Sequence, residues 1–154
     1  MTSRVSLPDA AATRALGERL GRAATPGTTF ALSGTLGSGK TTLAQGFAAG
    51  FGVPNGHRVT SPTFAIWQTY SGTSTLHHLD LYRLEGADEA DAAGLDEAFG
   101  PDAVSLVEWS ERCPALLPED HVHVRLAYDE RGGRLATLEA LGPSATAWLA
   151  RLRL

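Results

Sequence analysis

One cysteine, one lysine and no long apolar run set the first limits on this chain of 154 residues. A lone Cys113 excludes an intramolecular disulfide and fits a reducing compartment, where the residue serves as a small, part-buried packing group. No run of 18 apolar residues occurs, and the start of the chain has neither the charged nor the apolar segment of a leader. The expectation is a cytoplasmic protein with no membrane segment. A net charge of −4 argues against a protein that grips nucleic acid by itself, because phosphate contacts need clustered Lys and Arg. Disorder is excluded by a composition of 43% hydrophobic and 19% charged residues. No repeat, linker or low-complexity segment divides the chain. Residues 1–154 are therefore expected to form a single domain, burying about 68–70% of the unfolded surface.

The one lysine, against twelve arginines, is Lys40, and it lies in the stretch Ser33–Thr42, S-G-T-L-G-S-G-K-T-T. Gly34-x4-Gly39-Lys40-Thr41 has the P-loop spacing. An apolar, β-prone run over 28–32 precedes it, and Leu43, Phe47 and Phe51 follow at helical i, i+4, i+8 spacing. Gly34, Gly37 and Gly39 let the backbone turn tightly and aim N–H groups inward, where the helix N-terminus adds partial positive charge. Lys40 then reaches the β- and γ-phosphates as a point charge, and the Thr41 hydroxyl ligates Mg²⁺. Thr35, Leu36, Gly37, Ser38, Gly39, Lys40, Thr41 and Thr42 are the expected nucleotide-binding residues. Guanine-specific P-loop proteins use an Asn-Lys-x-Asp motif, which this chain cannot have because its lysine is already in the loop; that favours ATP.

Read in order, Arg4-Val5-Ser6 predicts a short strand and Ser6 the N-cap of a helix, with Pro8 in its first turn and Asp9 three residues after the cap. Ala12, Leu16 and Leu20 form one apolar stripe, carrying that helix to about Ala23. The helix after Lys40 ends at Gly50–Gly52. Pro62 holds its predecessor extended, residues 64–70 read as a strand, Ser71-Gly72 as a turn, and Thr75–Asp80 as a strand that Leu81–Leu84 continues. Asp88–Phe99 predicts one or two short helices. Ala103–Glu108 is a continuous apolar run ending in a carboxylate, the pattern of a buried strand. Trp109–Leu117 predicts a short helix closed by Pro118, Val122–Tyr128 and Leu135–Leu141 a hairpin, and Ser144–Leu152 a final helix. Strands interleaved with helices around a P-loop give an α/β, three-layer P-loop NTPase-like fold with a mainly parallel central sheet and a C-terminal antiparallel hairpin.

P-loop enzymes hold the Mg²⁺ shell with a second carboxylate on a neighbouring strand. Glu108 terminates the more apolar run and reads as that acid, beside Thr41. Asp80 then positions or activates the attacking water, or stands in the outer metal shell. Arg83 is open to two readings, stabilising γ-phosphate charge or making a surface salt bridge. Ser61 and Thr63 offer hydroxyls able to sense a γ-phosphate, with a plain turn as the alternative. Trp109 either packs near the nucleotide or fills the core. His77 and His78, adjacent on a strand, point to opposite faces and cannot chelate one ion together, and the His121-x-His123 pair has no third ligand.

Taken together, these motifs resemble the bacterial TsaE (YjeE) family of tRNA threonylcarbamoyladenosine biosynthesis. The residues that carry the resemblance are Leu32–Thr42, Val59–Phe64 (V-T-S-P-T-F), His78–Leu84 (H-L-D-L-Y-R-L), Gly94–Glu97, Leu106–Trp109 (L-V-E-W) and Leu116-Leu117-Pro118, in order across residues 5 to 145. Thr35 and Ser38 depart from it, where the family often has Asp and Ala. The resemblance implies that Lys40 and Thr41 contact phosphate and Mg²⁺, that Glu108 is the metal-side acid, and that Asp80 is needed for hydrolysis. It also implies ATP hydrolysis in complex with two other proteins, TsaD and TsaB, which modify adenosine 37 of certain tRNAs, so that tRNA is met only through the complex.

Two other readings remain at the level of sequence. A small-molecule or nucleotide kinase shares the P-loop, although the acidic segment after Asp80 is a poor surface for an anionic acceptor. A nucleotide-dependent binding module would use hydrolysis only as a timer.

Overall fold

The structure is a computed structural model that describes residues 1–62 and 64–154. Its strands are β1 (Thr2–Leu7), β2 (Thr29–Ser33), β3 (Trp67–Ser71), β4 (Thr75–Asp80), β5 (Ala103–Glu108), β6 (His121–Tyr128) and β7 (Arg134–Leu141). Its helices are α1 (Ala10–Ala23), α2 (Lys40–Gly50), α3 (Ala87–Ala92) and α4 (Pro143–Arg151), with 3₁₀ turns at Gly56–Arg58, Leu95–Ala98, Ser110–Arg112 and Pro114–Leu116.

Among the described residues these strands form one sheet in the order β1-β7-β6-β2-β5-β4-β3. The middle four, β6-β2-β5-β4, run parallel. Antiparallel strands close both sides: β3 on β4, and β7 then β1 on β6. The expected α/β fold and C-terminal hairpin are both present, with the parallel part confined to the centre. β2 and β5 are buried at every residue, as their apolar runs demand of strands covered on both faces.

Alternation along the strands divides the core in two. Phe30, Leu32, Leu76, Val104 and Leu106 face α1, α2 and α4, whereas Leu79 and Val107 join Leu81, Leu84, Ala90, Leu95 and Cys113 on the opposite side. Cys113 is buried in that second cluster, as a packing residue should be. Phe30 holds the first cluster together, with the rings of Phe47 and Trp148 each at 5.0 Å in edge-to-face contact. α1 and α2 meet through glycine: a Cβ on Gly17 or Gly46 would lie 2.2 Å from the Leu43 or Arg14 carbonyl oxygen.

Four local expectations differ from the structure, each for a stated reason. Ser6 does not cap α1, because Ser6 and Leu7 stay in the β1–β7 ladder. The cap is Asp9, whose carboxylate accepts the Ala12 N–H at 2.8 Å. The strand predicted from residue 64 begins only at Trp67, after Ile66 turns left-handed at φ 66°. Leu81–Leu84 does not extend β4, since Asp80 Oδ1 accepts the Tyr82 N–H at 2.9 Å and folds the chain into a turn. Residues 109–117 form two 3₁₀ turns in place of one helix, because Pro114 holds Cys113 out of the helical region. Among the described residues, no helix is long and apolar enough to cross a membrane.

Candidate functional site

β2, β5 and β4 end side by side, so the residues at their carboxyl ends are brought together. β2 runs into the glycine loop 34–39, which carries the chain to α2. Gly34, Gly37 and Gly39 all have positive φ, at 146°, 79° and 106°. Gly34 also passes so close to β6 that a Cβ would meet the Leu126 carbonyl oxygen at 2.5 Å. Unlike α1, α2 has no side-chain cap: its N-cap is Gly39. The first-turn N–H groups of α2 therefore face outward with the positive end of the helix dipole, an anion site by construction.

Lys40 is buried, 5% exposed, with Nζ donating to the Gly34 carbonyl and to the Thr35 carbonyl at 3.0 Å. The ammonium also lies 3.9 Å from the centre of the Trp109 ring. Burial pushes its pKa below the ordinary 10.5, against the opposing pull of Glu111, Glu108 and Asp80. A charge held in this way gains from an incoming phosphate.

Asp80 and Glu108 are direct partners in the parallel β4–β5 register, 2% and 1% exposed. Glu108 Oε2 accepts from Ser61 Oγ at 2.8 Å and His78 Nε2 at 2.6 Å. Glu108 Oε1 faces Thr41 Oγ1 at 3.5 Å, and the Thr41 and Ser61 hydroxyls are 3.0 Å apart. A cavity of about 430 Å³ opens over this group, lined by Lys40, Thr41, Ser61, Asp80, Glu108 and Trp109 among others. The donors are all oxygens, two of them carboxylates, beside a cradle for phosphate; this is the set Mg²⁺ prefers when it shares a site with phosphate. A metal could be held by Thr41 and Glu108, and the glycine loop could hold a nucleotide's phosphates.

A second cavity of about 290 Å³ lies across the loop, enclosed by Pro8, Asp9, Ala10, Thr13, Gly133 and Arg134. Gly37, Gly39 and Thr42 line both cavities. Ser38 lines only the second, and its buried hydroxyl has no hydrogen-bond partner among the described residues.

Lys40, Thr41, Thr42, Asp80, Glu108, Trp109 and the loop from Leu36 to Gly39 thus gather at one place. Leu36 is 77% exposed at the loop tip, and Thr35 turns its carbonyl to Lys40. Thr63 lies outside the described residues. Arg83 stacks 4.2 Å from the centre of the Phe64 ring and is not among the residues lining the cavity. His123 is 2.7 Å from Ser33 Oγ, and among the described residues no cluster of three or more His, Cys, Asp or Glu could hold a metal. Tyr82, in the cavity wall, was not singled out by sequence. Nor was a role for His78, although its spacing of two from Asp80 on a strand placed both on one face.

Comparison with known proteins gives a consistent result. Residues 7–136 match the family model described as threonylcarbamoyl adenosine biosynthesis protein TsaE. The chain is 41% identical to the tRNA threonylcarbamoyladenosine biosynthesis protein TsaE of Bacillus subtilis, over 77% of this chain and 75% of that one. The protein of the same name from Nostoc sp. is 36% identical, over 88% and 85%. Among solved structures, the crystal structure of YdiB from Bacillus subtilis superposes with a TM-score of 0.85 at 29% identity, covering 99% of this chain and 94% of that one.

Proposed function

The chain belongs to the TsaE family of threonylcarbamoyl adenosine biosynthesis proteins, and from that footing we propose that it binds Mg-ATP at the glycine loop and hydrolyses it. One observation carries the reading: an uncapped α2 N-terminus, a buried ammonium and two buried carboxylates border a single cavity.

The loop and the first turn of α2 bind the α- and β-phosphates through backbone N–H groups, and Lys40 neutralises the β- and γ-oxygens. Thr41 and Glu108 would hold the cation, which would supply positive charge to offset the negative charge that develops during transfer. Asp80 orients the attacking water and takes its proton as oxygen joins the γ-phosphorus and the β–γ bridging bond breaks, leaving ADP and phosphate. Trp109 walls the cavity over Lys40. The second cavity shares Gly37, Gly39 and Thr42 with the first and offers room for the nucleoside beside Ala10 and Arg134, which supports this reading.

Hydrolysis serves tRNA modification by driving turnover of a complex with TsaD and TsaB, and tRNA is met through those partners. The test is steady-state release of phosphate from ATP by the chain alone and with the two partners. A slow rate that rises on mixing is expected. An unchanged rate, with label passed to an added acceptor, would favour a kinase.

A further inference from the structure

His78 and Glu108 sit on neighbouring strands with almost no contact with solvent, 2% and 1% exposed. The β4–β5 register pairs His78 with Leu106 and Asp80 with Glu108. Alternation then places His78, Asp80, Leu106 and Glu108 on one face, the face that α2 covers. His78 lies one step below the acid pair, between it and the apolar core, and its Nε2 reaches diagonally to Glu108 Oε2 at 2.6 Å.

A glutamate has three side-chain torsions, and nothing in its own strand chooses which oxygen faces the cavity. Here Oε2 takes two hydrogen bonds, from His78 beneath and Ser61 beside it, and Oε1 is left facing Thr41. We propose that His78 is a positioning residue: it pins Glu108 Oε2 so that Oε1 is presented to the Thr41 hydroxyl and to a cation between them. The proposal rests on the nucleotide-hydrolysis reading above, and it assigns His78 no contact with substrate. Partners of this kind, which orient a metal-side carboxylate, typically change metal affinity by about 10–100-fold when removed.

The test compares His78→Leu, which keeps bulk but donates nothing, with His78→Gln, whose amide nitrogen is the same number of bonds from Cα as Nε2. Three quantities are read: Mn²⁺ affinity of the ADP complex by electron paramagnetic resonance of free Mn²⁺, ADP affinity without metal, and melting temperature. His78→Leu should weaken Mn²⁺ binding by about 10–100-fold with metal-free ADP binding unchanged, and His78→Gln should restore most of the Mn²⁺ affinity. Mn²⁺ affinity unaltered in His78→Leu overturns the proposal. So does His78→Gln binding Mn²⁺ as weakly as His78→Leu, since histidine would then serve packing alone. If His78→Leu does not fold, His78→Asn replaces it: a shorter amide that binds Mn²⁺ as well as His78→Gln overturns the proposal, and a weaker one supports it. A wild-type ADP complex that takes up no Mn²⁺ would instead overturn the metal–nucleotide reading on which the proposal rests.

Discussion

The hydroxyls of Thr41 and Ser61, twenty residues apart in sequence, lie 3.0 Å from each other. Ser61 also donates to Glu108, so one hydroxyl ties the first turn of α2 to the end of β5. Ser61→Ala removes a hydrogen bond to the buried Glu108 carboxylate and should cost about 1–3 kcal/mol. Differential scanning calorimetry should show a melting point lower by about 2–4 °C per kcal/mol, and Ser61→Thr should recover it. An unchanged melting point for Ser61→Ala would show that the bridge contributes nothing to the free protein.

Lys40 is kept charged in a place where burial disfavours charge. A lysine whose native pKa lies below its unfolded value destabilises the fold at neutral pH, and the penalty fades as pH rises toward 10.5. Lys40→Met should therefore melt above wild type at pH 7, with the gap closing toward pH 10.5, while ATP binding measured by calorimetry is lost. A variant that melts lower at every pH would contradict this.

α1 and α2 are in backbone contact at Gly46, where a Cβ would lie 2.2 Å from the Arg14 carbonyl oxygen. Gly46→Ala gains about 1 kcal/mol of helix propensity. It should nonetheless be destabilising by about 1–3 kcal/mol, because two helices must separate to admit the methyl group. Gly100→Ala, with open space around it, is the control expected to show little change. Urea unfolding of both variants decides the point, and equal midpoints would refute the close-contact account.

Much of the site was legible because its signals are local. Gly34 to Thr41 lie within one turn and one helix start, and the apolar run 103–107 leading into Glu108 announced a buried strand. The H-x-D spacing of His78 and Asp80 was legible in principle, since period-two alternation puts both on one face. What no local pattern carries is which strands are neighbours: the pairing of Asp80 with Glu108 depends on β4 lying beside β5. Ser61 likewise meets Glu108 only through the tertiary fold. β4 ends at Asp80 as its terminal acid suggests, but the turn over the next residues is not legible, because Asp80 folds the chain through its own side chain, a competition between side chain and ladder that hydropathy does not register.

Asp120 caps α4 from outside that helix, accepting the Ser144 and Ala145 N–H groups at 2.8 Å each. Burial raises its pKa, but those hydrogen bonds and nearby His121 together lower it below 3.8. A depressed carboxylate stabilises the fold above its unfolded pKa and loses that effect as pH falls through the native value. Asp120→Asn removes the charge at the α4 N-terminus and should therefore melt below wild type at pH 7, by about 0.3–1 kcal/mol in stability, and the two should converge as pH drops below 3.8. A gap independent of pH would contradict the assignment.

The nucleoside path is tested by narrowing the second cavity at exposed Ala10. Ala10→Phe should weaken ATP binding while leaving inorganic tripolyphosphate, which needs only the loop, bound as before. Equal weakening of both in a competition assay would place the nucleoside elsewhere.

In the proposed mechanism, Asp80 and Glu108 turn over a nucleotide held by Lys40 and Thr41. Single-turnover hydrolysis of γ-labelled ATP, with TsaD and TsaB present, tests it most directly in wild type, Asp80→Asn and Glu108→Gln. Wild type should release labelled phosphate, and both variants should bind ATP yet release it slower by about 10²–10⁴-fold. Hydrolysis at the wild-type rate in either variant would contradict the account.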